Sequence, residues 1–196
     1  MVSDTQSGKS SEWYTPPLYI AAAREVMGSI ELDPASCAVA NRTVQAERFF
    51  TKEQNGLMQQ WVARSVWLNP PYGKTPKGAS NMAAFTSHLL EQYRCGNTQQ
   101  AICLVPTGSI STSWFVPLWN FPICFPGYRI RFLLEDGTQS DGPSLGTCLI
   151  YVGPHVNRFI EVFDQFGPIG GRISPPRVQV RNLDLWTDRA LLGSGS

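Results

Sequence analysis

Three short stretches carry the residue types that could do chemistry together: Thr15-Pro16-Pro17, Asp33-Pro34-Ala35-Ser36 and Asn69-Pro70-Pro71-Tyr72. The last follows the apolar run Val66-Trp67-Leu68 and packs an amide, two prolines and a phenol ring into four residues. Proline gives a ladder no N–H and restricts the residue before it, so the run reads as a buried strand feeding a stiff loop. Ser29–Leu32 reads as a second short strand, ending in Asp33 in the same way. Open α/β sheets bind ligands at the carboxyl ends of their strands, so Asp33 and Asn69 are expected to flank one crevice. The chemistry on offer is acceptor oxygens and a ring face on rigid supports. A zinc site is not expected: His88 and His155 are the only histidines, and no cysteine pairs with either at ligand spacing.

Positioning these groups requires an alternating frame. Thr15 is expected to cap a helix running to Met27, with Leu18, Ala22 and Val26 on its apolar stripe and Gly28 closing it. A βαβ unit takes about 30 residues, so the interval from Asp33 to Asn69 holds one crossover and the two strands should be neighbours. Between them, Glu47–Thr51 suits a short edge strand and Asn55-Gly56-Leu57 a turn before Trp61. Lys74–Gly78 is polar and basic and reads as a mobile segment; Met82, Phe85, Leu89 and Tyr93 then mark a helix ending near Gly96. Ala101–Pro106 is suited to a buried parallel strand, followed by a Ser/Thr-rich loop and an aromatic helical turn around Trp114, Phe115 and Trp119. Tyr128–Phe132 and Thr147–Tyr151 read as an antiparallel edge pair joined by a surface loop over 135–146, with Val156, Phe159, Ile160 and Phe163 on a last helix. Together these predict an α/β fold: a mostly parallel sheet with an antiparallel edge pair and helices on both faces. One domain over residues 12–185 is expected, between a flexible tail at 1–11 and a C-terminal tail at 186–196.

Composition agrees with one core. Of 196 residues, 42% are hydrophobic and only 16% charged, which argues against disorder over most of the length. A net charge of +1 provides no global attraction to polyanions, so a nucleic-acid surface would have to be a local cluster. Five cysteines without CxxC spacing, three of them in apolar runs, suit buried thiols in a reducing compartment. With neither a signal peptide nor a run of about 18 apolar residues, a cytoplasmic protein is expected.

The order Thr-Pro-Pro, acidic-Pro-Ala, Asn-Pro-Pro-Tyr resembles the S-adenosylmethionine-dependent amino methyltransferases of nucleobases, the N6-adenine class in particular. Several further stretches carry the likeness across residues 12–152: Trp13-x-Thr15-Pro16, Asn55-Gly56-Leu57 before Trp61, Leu104-Val105-Pro106 and Arg129-Ile130-Arg131-Phe132. With Trp67-x-Asn69-Pro70-Pro71-Tyr72 they resemble the phage-type DNA N6-adenine methyltransferase (Dam) family. The resemblance implies a reduced Rossmann-like methyltransferase fold, S-adenosylmethionine as cofactor and no metal. It also implies DNA as partner, with the target adenine flipped out of the helix, and a phage or prophage origin in a bacterial host.

In that family reading the Asn69 side-chain oxygen and the Pro70 carbonyl accept the hydrogens of an exocyclic amine. Its lone pair is otherwise delocalised into the ring, which makes it a poor nucleophile. Pro71 adds no competing N–H, and Tyr72 supplies a ring on which the flipped base stacks. Asp33, in its turn with Pro34 and Ala35, is assigned to the amino group or ribose of the cofactor; Thr15 and Pro16 at the helix start are assigned to its carboxylate. Trp13 and Asn55 are candidates for the cofactor's adenine, Glu47 and Glu53 for its ribose, and Lys74 and Lys77 for the substrate. No separate recognition domain is visible, so the loops around Lys74 and Lys77, residues 137–142 and Arg172–Arg181 are expected to read DNA with short or relaxed sequence preference. Two alternatives stand beside this. One is methylation of another planar amine or amide: cytosine N4, RNA adenine or protein glutamine. The other is an inactive binding module, suggested by the absence of glycine just after Asp33.

Overall fold

The computed structural model describes residues 13–139 and 146–172. The expected tails at 1–11 and 186–196, most of the stretch 167–185 with Arg177 and Arg181, and residues 140–145 of the surface loop lie outside the described residues. The chain lays down α1 (Pro17–Met27), β1 (Leu32–Asp33), α2 (Ala38–Val44), β2 (Arg48–Phe49), β3 (Ala63–Leu68) and α3 (Asn81–Arg94). It continues with β4 (Thr98–Pro106), β5 (Pro122–Cys124), β6 (Thr147–Val152), α4 (Val156–Phe163) and β7 (Ile169–Gly171).

The strands form one mixed sheet in the order β2-β1-β3-β4-β6-β5-β7. The first four are parallel, and β1 and β3 are neighbours through Leu32 and Val66, as the length of the interval predicts. β6 runs against both β4 and β5, so β5 points the same way as β4. The carboxyl ends of β1 to β5 therefore share one edge of the sheet.

Both faces are covered, which is why β3 and β4 are apolar without alternation. Trp67, Ile102 and Leu104 pack under α1 and α4, while Val66, Leu68, Cys103 and Val105 pack under α3. The Cys103, Cys124 and Cys148 thiols are buried and their pKa values pushed up by desolvation, Cys124 and Cys148 to about 12, so they are inert. A buried polar chain anchors α1. The Tyr151 hydroxyl donates to Gln100 Oε1 (2.9 Å) and accepts the His155 N–H (3.0 Å), and Gln100 Nε2 donates to the Met27 carbonyl (3.0 Å). That ties the last turn of α1 to the amino-terminal part of β4, so its first turn lies at the carboxyl edge. No described helix is long and apolar enough to cross a membrane.

The structure corrects several local expectations. Thr15 does not cap α1: Pro16 occupies the cap position, its carbonyl accepts the Tyr19 N–H (3.1 Å), and Pro17 has no N–H to satisfy. Thr15 is instead buried one residue upstream. Leu18 is 59% exposed; the inner face of α1 is Ile20, Ala22, Ala23, Val26 and Met27. Lys74–Ser80 forms a closed hairpin: the Thr75 N–H reaches the Ala79 carbonyl (2.8 Å), and Gly78 turns the chain at φ 82°.

Tyr128–Phe132 is not a strand. β6 already has β4 and β5 as neighbours, and the segment leaves the sheet after β5 to bury Ile130 and Phe132 in the cluster beneath α1. It ends in an isolated bridge between Leu133 and Tyr14. The antiparallel part of the sheet is thus built from β5, β6 and β7.

Candidate active site

Asp33 is the last residue of β1 and 3% exposed; Asn69 follows the last residue of β3 and is half-buried. Leu32 and Val66 both face the α3 cluster, so alternation puts Asp33 on the α1 face, and Asn69, two residues beyond Trp67, has the same parity. Strand spacings of about 4.8 Å sideways and about 3.3 Å per residue place the two Cα atoms roughly 8 Å apart.

The Asp33 carboxylate accepts the Ala35 N–H (3.2 Å) and pairs with no arginine or lysine among the described residues. Burial pushes its pKa up to about 7, against the opposing pull of the Ala35 N–H and the nearby Ser36 hydroxyl. That hydroxyl is buried beside the carboxylate and meets no other partner among the described residues, so the two stand together with capacity to spare.

Three segments hold the turn. Phe50, leaving β2, donates its N–H to the Asp33 carbonyl (3.0 Å) and accepts the Ser36 N–H (2.9 Å). Gly56 sits directly on the Pro34 carbonyl, and Trp61 Nε1 donates to the Gly56 carbonyl (2.8 Å), fixing that loop from below. Asn55 is exposed in the left-handed region (φ 50°), its side chain accepting the Leu57 N–H (3.3 Å). From the third side, the Tyr14 hydroxyl meets Cys37 Sγ at 3.9 Å, which brings Trp13, Thr15 and Pro16 alongside. Trp13 is half-buried edge-on to Phe132, and Pro16 is half-buried.

In the loop after β3, Pro70 and Pro34 are buried, Ala35 is half-buried, and Pro71 and Tyr72 are exposed. The Tyr72 ring is 43% exposed, with partial burial raising its phenol pKa. Asn81, at the first turn of α3, grips this loop twice: Nδ2 donates to the Tyr72 carbonyl (3.1 Å) and the backbone N–H to the Gly73 carbonyl (3.0 Å). Lys74 and Lys77 stand exposed on the adjoining hairpin.

The two acidic candidates separate. Glu47 precedes β2 and bonds back to the Ile30 carbonyl (3.1 Å), on the amino side of the sheet and away from this edge. Glu53 follows β2 on the carboxyl side, its carboxylate held below the usual range by the Thr51 hydroxyl. Sequence reading missed what Gly56, Trp61 and Asn81 do. An Asn-Gly turn five residues before a tryptophan was the available signal for the first two; nothing local marked Asn81.

Fold and site together define an α/β protein whose carboxyl edge sets a buried carboxylate beside a proline-stiffened amide and ring. The chain belongs to the DNA N-6-adenine-methyltransferase (Dam) family, whose model matches residues 2–156. Over 113 residues it is 31% identical to the DNA N-6-adenine-methyltransferase of Haemophilus phage HP1 (strain HP1c1), a match covering 58% of this chain and 59% of that protein. Among solved structures it is similar to a candidate class I S-adenosylmethionine-dependent methyltransferase from Listeria monocytogenes. There the TM-score is 0.42 and the identity 14%, over 70% of this chain and 59% of the other. The chain thus spans about three fifths of the length of each of these two relatives.

Proposed function

We propose that this protein transfers a methyl group from S-adenosylmethionine to the N6 amino group of adenine in DNA, in the cytoplasm of a bacterial host and with a phage or prophage origin. One observation carries this beyond family membership: pairing of Leu32 with Val66 sets the Asp33 carboxylate and the Asn69-Pro70-Pro71-Tyr72 loop at neighbouring strand ends.

The residues present suit the cofactor. A buried carboxylate with no cation beside it among the described residues, and a buried hydroxyl next to it, are what an ammonium group or ribose hydroxyls would satisfy. Trp13, Thr15 and Pro16 border that pair on one side, and Asn55 and Glu53 on the other. When bound, S-adenosylmethionine supplies a methyl group on a sulfonium, a leaving group good enough that no protein nucleophile is needed.

The chain's own residues then prepare the acceptor. Asn69 Oδ1 and the Pro70 carbonyl accept the two amino hydrogens and so return the lone pair to nitrogen. Buried Pro70 and the Asn81 clamp leave little of the loop to order in the transition state. Tyr72 offers an exposed ring face to a base that has left its stack, offsetting part of the few kcal/mol that unstacking costs. The Lys74–Lys77 hairpin is the loop beside Tyr72 available to read base edges, in keeping with a short or relaxed sequence preference.

Incubation with tritiated S-adenosylmethionine and DNA, RNA or protein extract, followed by hydrolysis, tests the substrate. The expected product is N6-methyladenine from DNA. Label confined to RNA or protein would move the activity to another planar amine or amide, and no cofactor binding by calorimetry would make the chain an inactive module.

A further inference from the structure

Residues 125–133 cross the carboxyl edge as a strap tied at both ends. Phe125 and Gly127 donate to the Pro168 (3.0 Å) and Phe166 (2.8 Å) carbonyls at one end. Leu133 and Tyr14 exchange both backbone hydrogen bonds (2.8 and 3.0 Å) at the other. Ile130 (2% exposed) and Phe132 (7%) anchor the strap in the core, and the intervening Tyr128, Arg129 and Arg131 face solvent. Tyr128 is 90% exposed, the most exposed of the large apolar side chains described.

The strap starts at the end of β5 and finishes beside Tyr14, which touches the Cys37 end of the Asp33 turn, so both its ends lie on the rim formed by the carboxyl edge. With a chain charge of only +1, two arginines beside an exposed ring on that rim are a local concentration. Arg131 Nη1 donates to Gln139 Oε1 (3.3 Å), which orients the guanidinium and leaves further N–H donors to spare. Further along the chain, Asp136 accepts the Thr138 N–H (2.9 Å) and hydroxyl (2.6 Å).

Resting on the DNA substrate proposed above, we infer that this strap is a DNA-backbone contact of the enzyme: Arg129 and Arg131 bind phosphates beside the target nucleotide, and Tyr128 stacks on a neighbouring base.

Fluorescence anisotropy with a short labelled duplex, across a salt series, tests this on the full chain. Arg129→Ala with Arg131→Ala should weaken binding by about tenfold or more and lower the log–log salt slope by about 2. The double lysine variant should keep the slope, and Tyr128→Ala should weaken binding without changing it. Cofactor affinity and Tm should hold in all three, because Ile130 and Phe132 remain. If wild type labels DNA and the double alanine variant binds with unchanged affinity and slope, the strap is not the contact and the substrate stands. If wild type neither binds nor labels DNA, both fall together.

Discussion

Gly56 rests against Pro34 so closely that a Cβ built on it would lie 2.0 Å from the Pro34 carbonyl oxygen. The contact joins the loop after β2 to the turn after β1, the two pieces of chain proposed to hold the cofactor. Gly56→Ala must therefore push them apart, and overpacking of this kind costs about 1–3 kcal/mol. The expected result is a lower Tm and S-adenosylmethionine affinity reduced by about tenfold or more. Met58→Ala in the same turn, at a side chain 78% exposed, should leave both unchanged. Thermal denaturation and calorimetric titration read the pair.

Asn69 and Tyr72 should separate by kinetics. Removing one preorganised polar partner of a transition state costs about 10²–10³ in rate, so Asn69→Ala should lower kcat by that order while cofactor affinity holds. Asn69→Asp should keep measurable turnover, because a carboxylate oxygen still accepts from an amine. An aspartate variant as inactive as the alanine would remove the acceptor role. Tyr72→Phe should behave nearly as wild type, whereas Tyr72→Ala should raise KM for DNA by the loss of stacking, about 1–3 kcal/mol.

Asn81 touches the proposed chemistry only through the backbone of Tyr72 and Gly73. Asn81→Ala removes the 3.1 Å bond to the Tyr72 carbonyl and keeps the backbone bond to Gly73, so global stability should fall by about 1 kcal/mol or less. Steady-state kinetics should nonetheless show a lower kcat with an unchanged cofactor Kd. Unchanged kcat would mean that the prolines alone hold the loop.

Asp33 makes stability and cofactor binding depend on pH in opposite directions. Its pKa is about 7 in the fold against 3.8 as an unperturbed aspartate, so between those values the folded state binds more protons than the unfolded state. Stability should be highest near pH 4, fall as pH rises to about 7 by a few kcal/mol, and level off above. Asp33→Asn should flatten that slope and be the more stable protein at pH 8, as read by chemical denaturation. Cofactor affinity should rise with pH through about 7, because the ionised carboxylate is the better acceptor, and the asparagine variant should lose that rise.

The strand ends that matter were legible early. An apolar run cut by Pro70 and Pro71, a carboxylate after Leu32 and an interval with room for one crossover are local facts, and together they predicted Asp33 and Asn69 on adjacent strands. Period-two alternation in Tyr128–Phe132 misled, because two buried anchors with outward neighbours serve a loop lying over the core as well as a strand. Thr15 misled for a related reason: a hydroxyl at a helix start looks the same whether or not Pro16 and Pro17 have already dealt with the first donors. Glu47 and Glu53 could not be told apart until β2 showed which side of the sheet each one lies on.

Residue order and chemical type were enough to establish an α/β chain with an amide and a ring on a stiff loop near a carboxylate, because proline restriction, hydrophobic runs and crossover length act over a few residues or a single unit. Packing decided the rest. That Gly56 seats on Pro34, that Asn81 clamps Tyr72, that Asp33 is buried with no cation beside it among the described residues and that Tyr128, Arg129 and Arg131 are held outward by the buried Ile130 and Phe132 all depend on contacts between segments distant in the chain or on burial, and no local periodicity encodes those.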